Sequence, residues 1–432
     1  MFSERTNWTL AQNAFTRAVE EVRASGVRVL DLTVSNPTRV GLEYDSAAIL
    51  GALGSPRALD YDPQARGLVS AREAVCAYYR ELCARGERDV ASNVSTTGAG
   101  EGCEVHASRV VLTTSTSEGY SFVFRLLCNA GDELLVPKPS YPLFEFLADL
   151  QDVRLVPYPL IYDHGWQMDF PSLERVVTER TRGVVVVHPN NPTGSFVKVG
   201  EAEALNAFCR ARGLALIVDE VFLDYGLEIS GDTENSRSRH APLDRREPIQ
   251  GLGRNDKAVG SFAGNREVLT FTLSGVSKIS ALPQMKVAWV VTSGPAELAD
   301  GAMERLEVIA DTYLSMNAPV QWALPVLLEQ RKSIQRQLME RVRGNLAELD
   351  RQLAAQQACS RLDVEGGWYA VLRVPVTRSD EELAIELVRE KAVVVHPGHF
   401  YDFSGDGYLV LSLIGAQKEF AEGIKAVLEK LN

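Results

Sequence analysis

The run Leu273-Ser-Gly-Val-Ser-Lys-Ile-Ser-Ala-Leu-Pro-Gln-Met-Lys286 says more about the fold than any other stretch of this chain. It continues the apolar segment Glu267-Val-Leu-Thr-Phe-Thr-Leu273, which is typical of a buried strand, so Lys278 is expected just past a strand end. Open α/β sheets build their ligand sites at that position. A lysine held there among small and apolar neighbours is partly desolvated, which makes a neutral, nucleophilic amine accessible near neutral pH. Lys286 supplies a second cation suited to an anionic group.

Three further segments place polar groups just past apolar strands. Gly183-Val-Val-Val-Val-His-Pro-Asn-Asn-Pro-Thr-Gly194 ends in a turn that presents Asn191. Leu214-Ala-Leu-Ile-Val-Asp-Glu220 is a second buried strand, which ends in Asp219. Arg109-Val-Val-Leu-Thr-Thr-Ser-Thr-Ser-Glu-Gly119 runs into the small polar start of a helix. The sequence therefore predicts that these groups meet at one edge of a sheet.

The polar positions follow a fixed chain order: a helix N-terminus, an asparagine, an aspartate and a lysine. In this order they resemble those of the fold-type I pyridoxal 5′-phosphate (PLP) enzymes, specifically the class I/II aminotransferases of the aspartate aminotransferase superfamily. The resemblance extends from Asp31 to Ser412. It implies a PLP-dependent aminotransferase that moves an amino group between an amino acid and a 2-oxo acid by a ping-pong mechanism.

Short apolar strands alternate with helical stretches from Arg109 onward. This alternation predicts an α/β fold, with a large domain whose mostly parallel seven-stranded sheet is sandwiched by helices. Its strands are expected at 109–114, 132–136, 153–157, 183–187, 214–218, 268–273 and 287–292. A smaller α+β domain is expected from the N- and C-terminal segments, with strands at 368–373 and 408–412.

The same pattern suggests a division of the chain. We expect residues 1–60 to join the small domain, residues 61–317 to form the large PLP-binding domain, and residues 318–432 to form the small domain. The polar, glycine-containing segments 91–105 and 228–265 are long for loops and resemble insertions. The second of them is suited to a lid.

The composition argues against several classes of partner. The 432 residues carry a net charge of −12, whereas nucleic acids and anionic membranes are bound by basic surfaces. The apolar runs are no longer than strands, and Met1-Phe-Ser-Glu-Arg lacks the apolar core of a signal peptide. The six cysteines are scattered without metal or disulfide spacing. These features predict a soluble, reduced, cytoplasmic protein.

The resemblance assigns the central chemistry to two residues. Lys278 would form the Schiff base with PLP, and Asp219 would keep the pyridine nitrogen protonated. A buried aspartate is costly to ionise without a cationic partner, and a pyridinium supplies one. Glu220 beside it points to the other face of the strand and is expected to be structural.

The resemblance also implies how the cofactor's phosphate and ring are held. Thr116 and Ser117, at the start of a helix expected over 117–128, would bind the phosphate with Ser277 and Lys286. Lys286 stands where the family usually has an arginine, so it keeps the charge without the bidentate fork.

For the ring, Asn191 would hydrogen-bond the phenolic oxygen O3′, and Tyr141 in Pro139-Ser-Tyr-Pro142 would stack on the ring face. Tyr61 resembles the tyrosine that reaches the phosphate of the neighbouring subunit, which implies a homodimer with shared active sites.

Two departures from the family pattern concern the cofactor. Phe222 stands where relatives commonly have a tyrosine that donates to O3′, and Tyr225 is the candidate to replace it. Gly275 stands where many relatives carry a serine, so one phosphate hydrogen bond is either missing or moved to Ser274.

A third departure concerns the substrate. Relatives bind its α-carboxylate with an arginine in a late strand, and Tyr408-Leu-Val-Leu-Ser412 carries Val410 in that position. Arg39, in the run Ser35-Asn-Pro-Thr-Arg39 that also contains Asn36, is the first candidate to replace it, and Arg373 is the second. The run His396-Pro-Gly-His-Phe400 resembles the family's Pro-Gly turn at the substrate mouth. This favours a structural turn over the alternative, in which either histidine contacts the substrate.

One alternative to transamination stays open, and a second is disfavoured. Another fold-type I reaction, such as carbon–sulfur β-elimination or decarboxylation, remains because a changed carboxylate anchor changes which bond of the substrate is aligned for cleavage. A PLP-sensing regulator would require a DNA-binding module before about residue 30, where the sequence leaves no room for one. The amino acid and the oxo acid are not determined by the sequence.

Overall fold

The structure is a computed structural model that describes residues 1–90, 104–142, 144–227, 258–314 and 316–431, with backbone alone for residues 85–90. The expected insertions at 91–105 and 228–265 lie largely outside the described residues.

The described helices and strands alternate along most of the chain. The helices are α1 (Ala14–Ala24), α2 (Ser46–Leu53), α3 (Val69–Val90), α4 (Thr116–Leu127), α5 (Phe144–Asp149), α6 (Phe170–Val176), α7 (Val199–Arg212), α8 (Val276–Ile279), α9 (Ala296–Thr312), α10 (Ala318–Glu329), α11 (Arg331–Leu353), α12 (Asp380–Lys391) and α13 (Gln417–Leu431). The strands are β1 (Leu30–Asp31), β2 (Val110–Thr113), β3 (Glu133–Lys138), β4 (Arg154–Tyr162), β5 (Trp166–Met168), β6 (Thr181–Val187), β7 (Ala215–Asp219), β8 (Thr270–Gly275), β9 (Ala288–Ser293), β10 (Ser360–Arg361), β11 (Tyr369–Arg373), β12 (Val393–Val394), β13 (His396–Pro397) and β14 (Tyr408–Ser412).

The large sheet has the strand order β2-β9-β8-β7-β6-β3-β4-β5. Strands β8, β7, β6, β3 and β4 run parallel to one another, whereas β9 and β5 run antiparallel to the strands they pair with. The α/β class and the mostly parallel sheet are confirmed, but the prediction of seven strands is wrong, because the described sheet contains eight. The additional strand, β5, has three residues at the sheet edge, too few to show a strand period.

Alternating residues of the central strands feed two separate cores. Val184 and Val186 of β6 pack with α7 residues on one face. Val185 and Val187 pack on the other face with the aromatic side of α4 and with α9. Both faces are therefore covered by helices, which is the reason that these strands are apolar without interruption.

A second layer of structure joins the two ends of the chain. Strands β10, β11, β14 and β13 form an antiparallel sheet, and β1 pairs in parallel with β12 through Leu30 and Val393. Helices α1, α11, α12 and α13 share one apolar core with this sheet. Helix α10, in contrast, packs in the same core as α2 and α3. The domain boundaries at residues 60 and 317 stay a prediction.

The cysteines differ from the expectation. Cys76, Cys128, Cys209 and Cys359 are free thiols. Cys83 is disulfide-bonded, so the expectation that the spacing holds no disulfide is wrong for this residue. Sequence spacing does not reveal which thiols the fold brings within bonding distance. Among the described residues, no helix is long and apolar enough to cross a bilayer.

Candidate active site

Three adjacent parallel strands end at the same level of the large sheet. Asp219 is the last residue of β7 and is paired with Val187 of β6 and Leu273 of β8. The segments that follow β6 and β8 carry Asn191 and Lys278, so these side chains leave the sheet on either side of Asp219. This is the carboxyl edge at which open α/β sheets bind ligands.

Lys278 lies in the short helix α8 and is enclosed by apolar groups. Its Nζ lies 5.1 Å from the ring centroid of Trp368 and 5.5 Å from that of Phe222. Burial lowers the pKa of the Lys278 ammonium to about 8, against the opposing attraction of the Asp219 carboxylate. A neutral amine is therefore accessible near neutral pH.

Asp219 is a partly buried carboxylate with two neutral hydrogen-bond donors. The Tyr120 hydroxyl donates to Oδ2 at 3.0 Å, and the Val221 N–H donates to Oδ1 at 3.1 Å. Burial raises the pKa of Asp219 to about 6, because these donors only partly offset desolvation. A cation placed against the carboxylate would favour its ionised form.

Glu220 turns to the opposite side of β7. Its carboxylate accepts hydrogen bonds from the Ser261 hydroxyl at 2.8 Å and from the Phe262 N–H at 2.6 Å. Burial raises the pKa of Glu220 to about 8. These contacts attach the segment before β8 to the sheet.

The raised pKa of Glu220 predicts a dependence of stability on pH. The Glu220 carboxyl has a pKa of about 8 in the folded protein and of 4.5 in the unfolded chain. Between these two pH values the folded protein holds a proton that the unfolded chain has released, so the free energy of unfolding falls as pH rises. We expect Glu220→Gln to flatten this fall, measured as melting temperature from pH 4.5 to 8 for both proteins. Equal pH slopes for the two proteins would contradict it.

The N-terminus of α4 opens toward the same edge. The N-cap is Ser115, whose hydroxyl accepts from the Glu118 N–H at 3.1 Å. Thr116 and Ser117 are thus the first two helical residues, where the N–H groups have no backbone acceptor within the helix. The expected start at residue 117 was one residue late, and both residues remain available to an anion.

Gly275 and Ser274, at the end of β8, are the two positions considered for an additional phosphate hydrogen bond, and their surroundings differ. A Cβ at Gly275 would lie 2.8 Å from both the Ala288 Cβ and the Val287 carbonyl oxygen, so a serine does not fit there without a shift. The Ser274 hydroxyl donates to the Glu220 carbonyl at 3.3 Å. Ser274 therefore does not replace the missing phosphate contact.

Comparison with known proteins identifies the family. The sequence profile described as "Aminotransferase class I and II" matches residues 62–424. The chain belongs to this family. It is therefore an aminotransferase, and its cofactor is PLP. The chain is 28% identical over 319 residues to the glutamate-pyruvate aminotransferase AlaA of Escherichia coli, across 74% of this chain and 68% of that protein.

Other relatives agree in activity and fold. An alanine aminotransferase of Mycobacterium tuberculosis is 26% identical over 414 residues, across 94% of this chain and 86% of that protein. The solved structure of an alanine aminotransferase from Pyrococcus furiosus superposes with a TM-score of 0.80, covering 99% of each chain at 18% identity, which shows the shared fold. The alternative of a lyase or a decarboxylase is not favoured by these relatives.

The residues at the carboxyl edge fit PLP. The Asn191 Oδ1 is buried without a hydrogen-bond partner among the described residues, as expected of an amide that awaits a ligand. Asp219 makes no ion pair with a described residue, and the charge of Lys278 only partly offsets the burial that raises its pKa. Lys286 is exposed, in a left-handed backbone conformation with φ of 53°, and makes no ion pair with a described residue. Ser277 makes no side-chain hydrogen bond with a described residue either.

Tyr225, the candidate to replace the hydroxyl that Phe222 lacks, is already engaged in a hydrogen bond. The Tyr225 hydroxyl donates to the backbone carbonyl of Lys278 at 2.6 Å, and the side chain is fully buried. A hydroxyl has one proton to donate, so Tyr225 cannot also donate to O3′ in this arrangement.

Three tyrosines lie near one another beside Asp219: Tyr141, Tyr369 and Tyr401. Tyr141 is 45% exposed and lies near Asp219, whose carboxylate contributes with burial to a raised Tyr141 pKa. Tyr369 lies 6.5 Å from Tyr401, ring centroid to ring centroid. The Tyr401 hydroxyl is 3.0 Å from the His396 Nδ1, so this histidine is engaged within the turn.

The substrate-binding candidates are placed differently from one another. Val410 is 1% exposed and is paired with Val371 and His396, so its position holds no cation. Arg39 and Arg373 are exposed, and neither forms an ion pair with a described residue.

Asn36 caps a short turn by accepting from the Thr38 N–H at 3.0 Å and from the Thr38 hydroxyl at 2.7 Å. Its side-chain oxygen therefore serves a local structural purpose. Tyr61 is 85% exposed.

Two residues of the site were not predicted. Tyr120, the donor to Asp219, lies on α4 four positions after Thr116, a spacing that places both on one helix face. Trp368 beside Lys278 follows the glycine pair Gly366-Gly367 and had been assigned only to a strand. The helical spacing was a usable signal for Tyr120, whereas the contact of Trp368 arises between distant parts of the chain.

Proposed function

We propose that this aminotransferase holds PLP at the carboxyl edge of β6, β7 and β8, with Lys278 as its covalent attachment point. The observation that supports it is that Lys278, Asp219 and Asn191 lie at the same edge of the sheet. Burial shifts the pKa values of Lys278 and Asp219, and the Asn191 Oδ1 has no hydrogen-bond partner among the described residues. Asp219 would face the ring nitrogen, Asn191 would contact O3′, and Tyr141 would stack on the ring.

The phosphate would lie against the start of α4. Thr116 and Ser117 would contribute N–H groups and hydroxyls, Ser277 a hydroxyl, and Lys286 a positive charge. The helix N-terminus favours a dianion electrostatically, and lysine adds a point charge without fixing its orientation.

When bound, PLP supplies an electron sink that stabilises negative charge at the substrate Cα. The protein's own residues supply the remaining steps. Lys278, once released from the cofactor, takes the proton from the substrate Cα as a neutral amine and delivers it as an ammonium on the cofactor side. Asp219 keeps its negative charge opposite the ring nitrogen, and the apolar walls exclude water that would compete for the proton.

We propose alanine and glutamate as the first amino donors to examine, because two relatives are named glutamate-pyruvate and alanine aminotransferase. The test is incubation of the purified protein with single amino acids, followed by absorbance of the cofactor and by chromatography of the 2-oxo acid. Conversion of the cofactor to its amine form with stoichiometric oxo acid supports transamination. Release of ammonia or carbon dioxide instead would contradict it.

We further propose a homodimer with shared active sites. Tyr61 is exposed next to other exposed apolar side chains of the α2–α3 region, including Leu59 and Val69, as expected of a surface that a second copy covers. Sedimentation of the purified protein tests the homodimer. Mixing two inactive variants, Tyr61→Ala and Lys278→Ala, tests the shared active sites, because the mixed dimer should then regain partial activity. The cytoplasmic location also stays a prediction.

For the substrate α-carboxylate, Arg39 remains our first candidate and Arg373 the second. A charge-assisted hydrogen bond contributes about 1.5–3 kcal/mol, so Arg39→Ala is expected to raise the KM for the amino acid about ten- to a hundredfold. Cofactor affinity should not change. Steady-state kinetics measures the KM for the amino acid in Arg39→Ala, with Arg373→Ala as the matched control. An effect in Arg373→Ala alone reverses the order of the two, and an effect in neither eliminates both.

A further inference from the structure

Two aromatic rings enclose the amine of Lys278. Its Nζ lies 5.1 Å from the Trp368 centroid and 5.5 Å from the Phe222 centroid. Both distances fall within the range in which an aromatic face attracts a cation. Trp368 is 0% exposed and Phe222 is 3% exposed, so this attraction is not screened by water.

The rings are held in place by their own contacts. Phe222 and Trp368 meet edge to face with centroids 5.2 Å apart, and Tyr225 meets Trp368 at 5.0 Å. Tyr225 is in turn tied to the backbone carbonyl of Lys278. The rings and the helix that carries the lysine thus form one connected unit.

We propose that Phe222 and Trp368 form an aromatic cradle, which stabilises the ammonium form of Lys278 whenever the lysine is free of the cofactor. They would be positioning residues that hold the proton between its removal from Cα and its delivery. The proposal rests on the proposed role of Lys278 as the proton carrier.

The charged groups around Lys278 do not by themselves offset the cost of burying its ammonium. Asp219 at the end of β7 is the carboxylate whose charge acts on the amine, and it must also serve the ring nitrogen. The Tyr225 hydroxyl is committed to a backbone carbonyl, and Glu220 faces the other side of the strand. Burial alone would destabilise the ammonium, so the ring faces offset part of that cost.

The cradle also gives a physical meaning to Phe222. Its side chain presents a ring face to Lys278 and carries no hydroxyl. Because no hydroxyl competes, the amine is controlled by the two ring faces and by Asp219.

The test measures the pKa of the Lys278 amine directly. The full-length chain, both without cofactor and loaded with pyridoxamine phosphate, is labelled with trace acetic anhydride over a range of pH, and acetylation of Lys278 is quantified by peptide mass spectrometry. A cation–π contact of about 0.5–2 kcal/mol predicts that Trp368→Leu and Phe222→Leu each lower this pKa by about 0.4–1.5 units.

Two further variants separate the cradle from general loss of packing. Trp368→Phe keeps an aromatic face and should restore at least half of the shift. Phe403→Leu removes a ring from the same core, where its contacts are Trp166 and Tyr408, and should leave the pKa of Lys278 unchanged. Circular dichroism establishes whether each variant is folded. If Trp368→Leu does not fold, the pKa of Lys278 in Phe222→Leu decides the test.

An unchanged or raised pKa in the leucine variants overturns the cradle, as does an equal shift in Phe403→Leu. Failure of the proposed function shows itself separately. A chain that does not bind pyridoxamine phosphate would contradict the PLP site, while labelling of the cofactor-free chain would still report on the rings.

Discussion

Lys278→Ala is expected to lower kcat for transamination by a factor on the order of 10⁴ or more, because covalent attachment and proton transfer are lost together. The variant should still bind PLP through its phosphate, since the start of α4, Ser277 and Lys286 are untouched. The measurements are steady-state kinetics and PLP stoichiometry after release in alkali. In the unsubstituted protein, borohydride should fix PLP to the peptide that contains Lys278, as mass spectrometry would show.

Lys286→Ala is the matched control, because it removes a lysine eight positions away. It should weaken PLP affinity, yet at saturating PLP it should keep kcat within about tenfold, a smaller loss than removal of a proton-transfer group gives. Near-normal turnover by Lys278→Ala, or borohydride labelling of another lysine, would remove Lys278 from its assigned role.

The sequence predicted that Asn191, Asp219 and Lys278 lie at one edge of the sheet, because each lies at or just past the end of an apolar strand. Uninterrupted valine and leucine runs mark strands that are buried on both faces, and parallel strands present their carboxyl ends at one edge. The position of Asp219 at the end of β7, between the segments that carry Asn191 and Lys278, follows from that rule. Strand β14 was also predicted with its observed bounds, Tyr408–Ser412.

Contacts between distant residues were beyond such local patterns. The hydrogen bond from Tyr120 to Asp219 joins residues 99 positions apart, and Trp368 meets Lys278 across a similar separation in the chain. Strand β1 is limited to Leu30–Asp31, because its partner β12 pairs with those residues alone. Whether a hydroxyl such as that of Tyr225 is free is likewise decided by its neighbours in space.

Asp219→Ala is expected to weaken PLP binding and to slow removal of the Cα proton, because the ring nitrogen then loses its anionic partner. The loss of a buried carboxylate opposite a cation costs about 3–5 kcal/mol, which corresponds to a factor of at least a hundred. The measurements are PLP affinity by fluorescence titration and the single-turnover rate with a Cα-deuterated amino acid, whose isotope effect should increase as proton removal becomes limiting.

Glu220→Gln is the control that makes this prediction specific, because adjacent residues of a strand face opposite sides. Glu220 binds Ser261 and Phe262, so its neutral variant should keep PLP affinity and the single-turnover rate within about tenfold, as expected of a residue that does not touch the reacting groups. Tyr120→Phe should fall between the two, since it removes one donor to Asp219 and leaves the charge in place. Losses of equal size in Asp219→Ala and Glu220→Gln would mean that the faces of β7 have been assigned wrongly. Such losses would also leave the ring nitrogen without the partner proposed here.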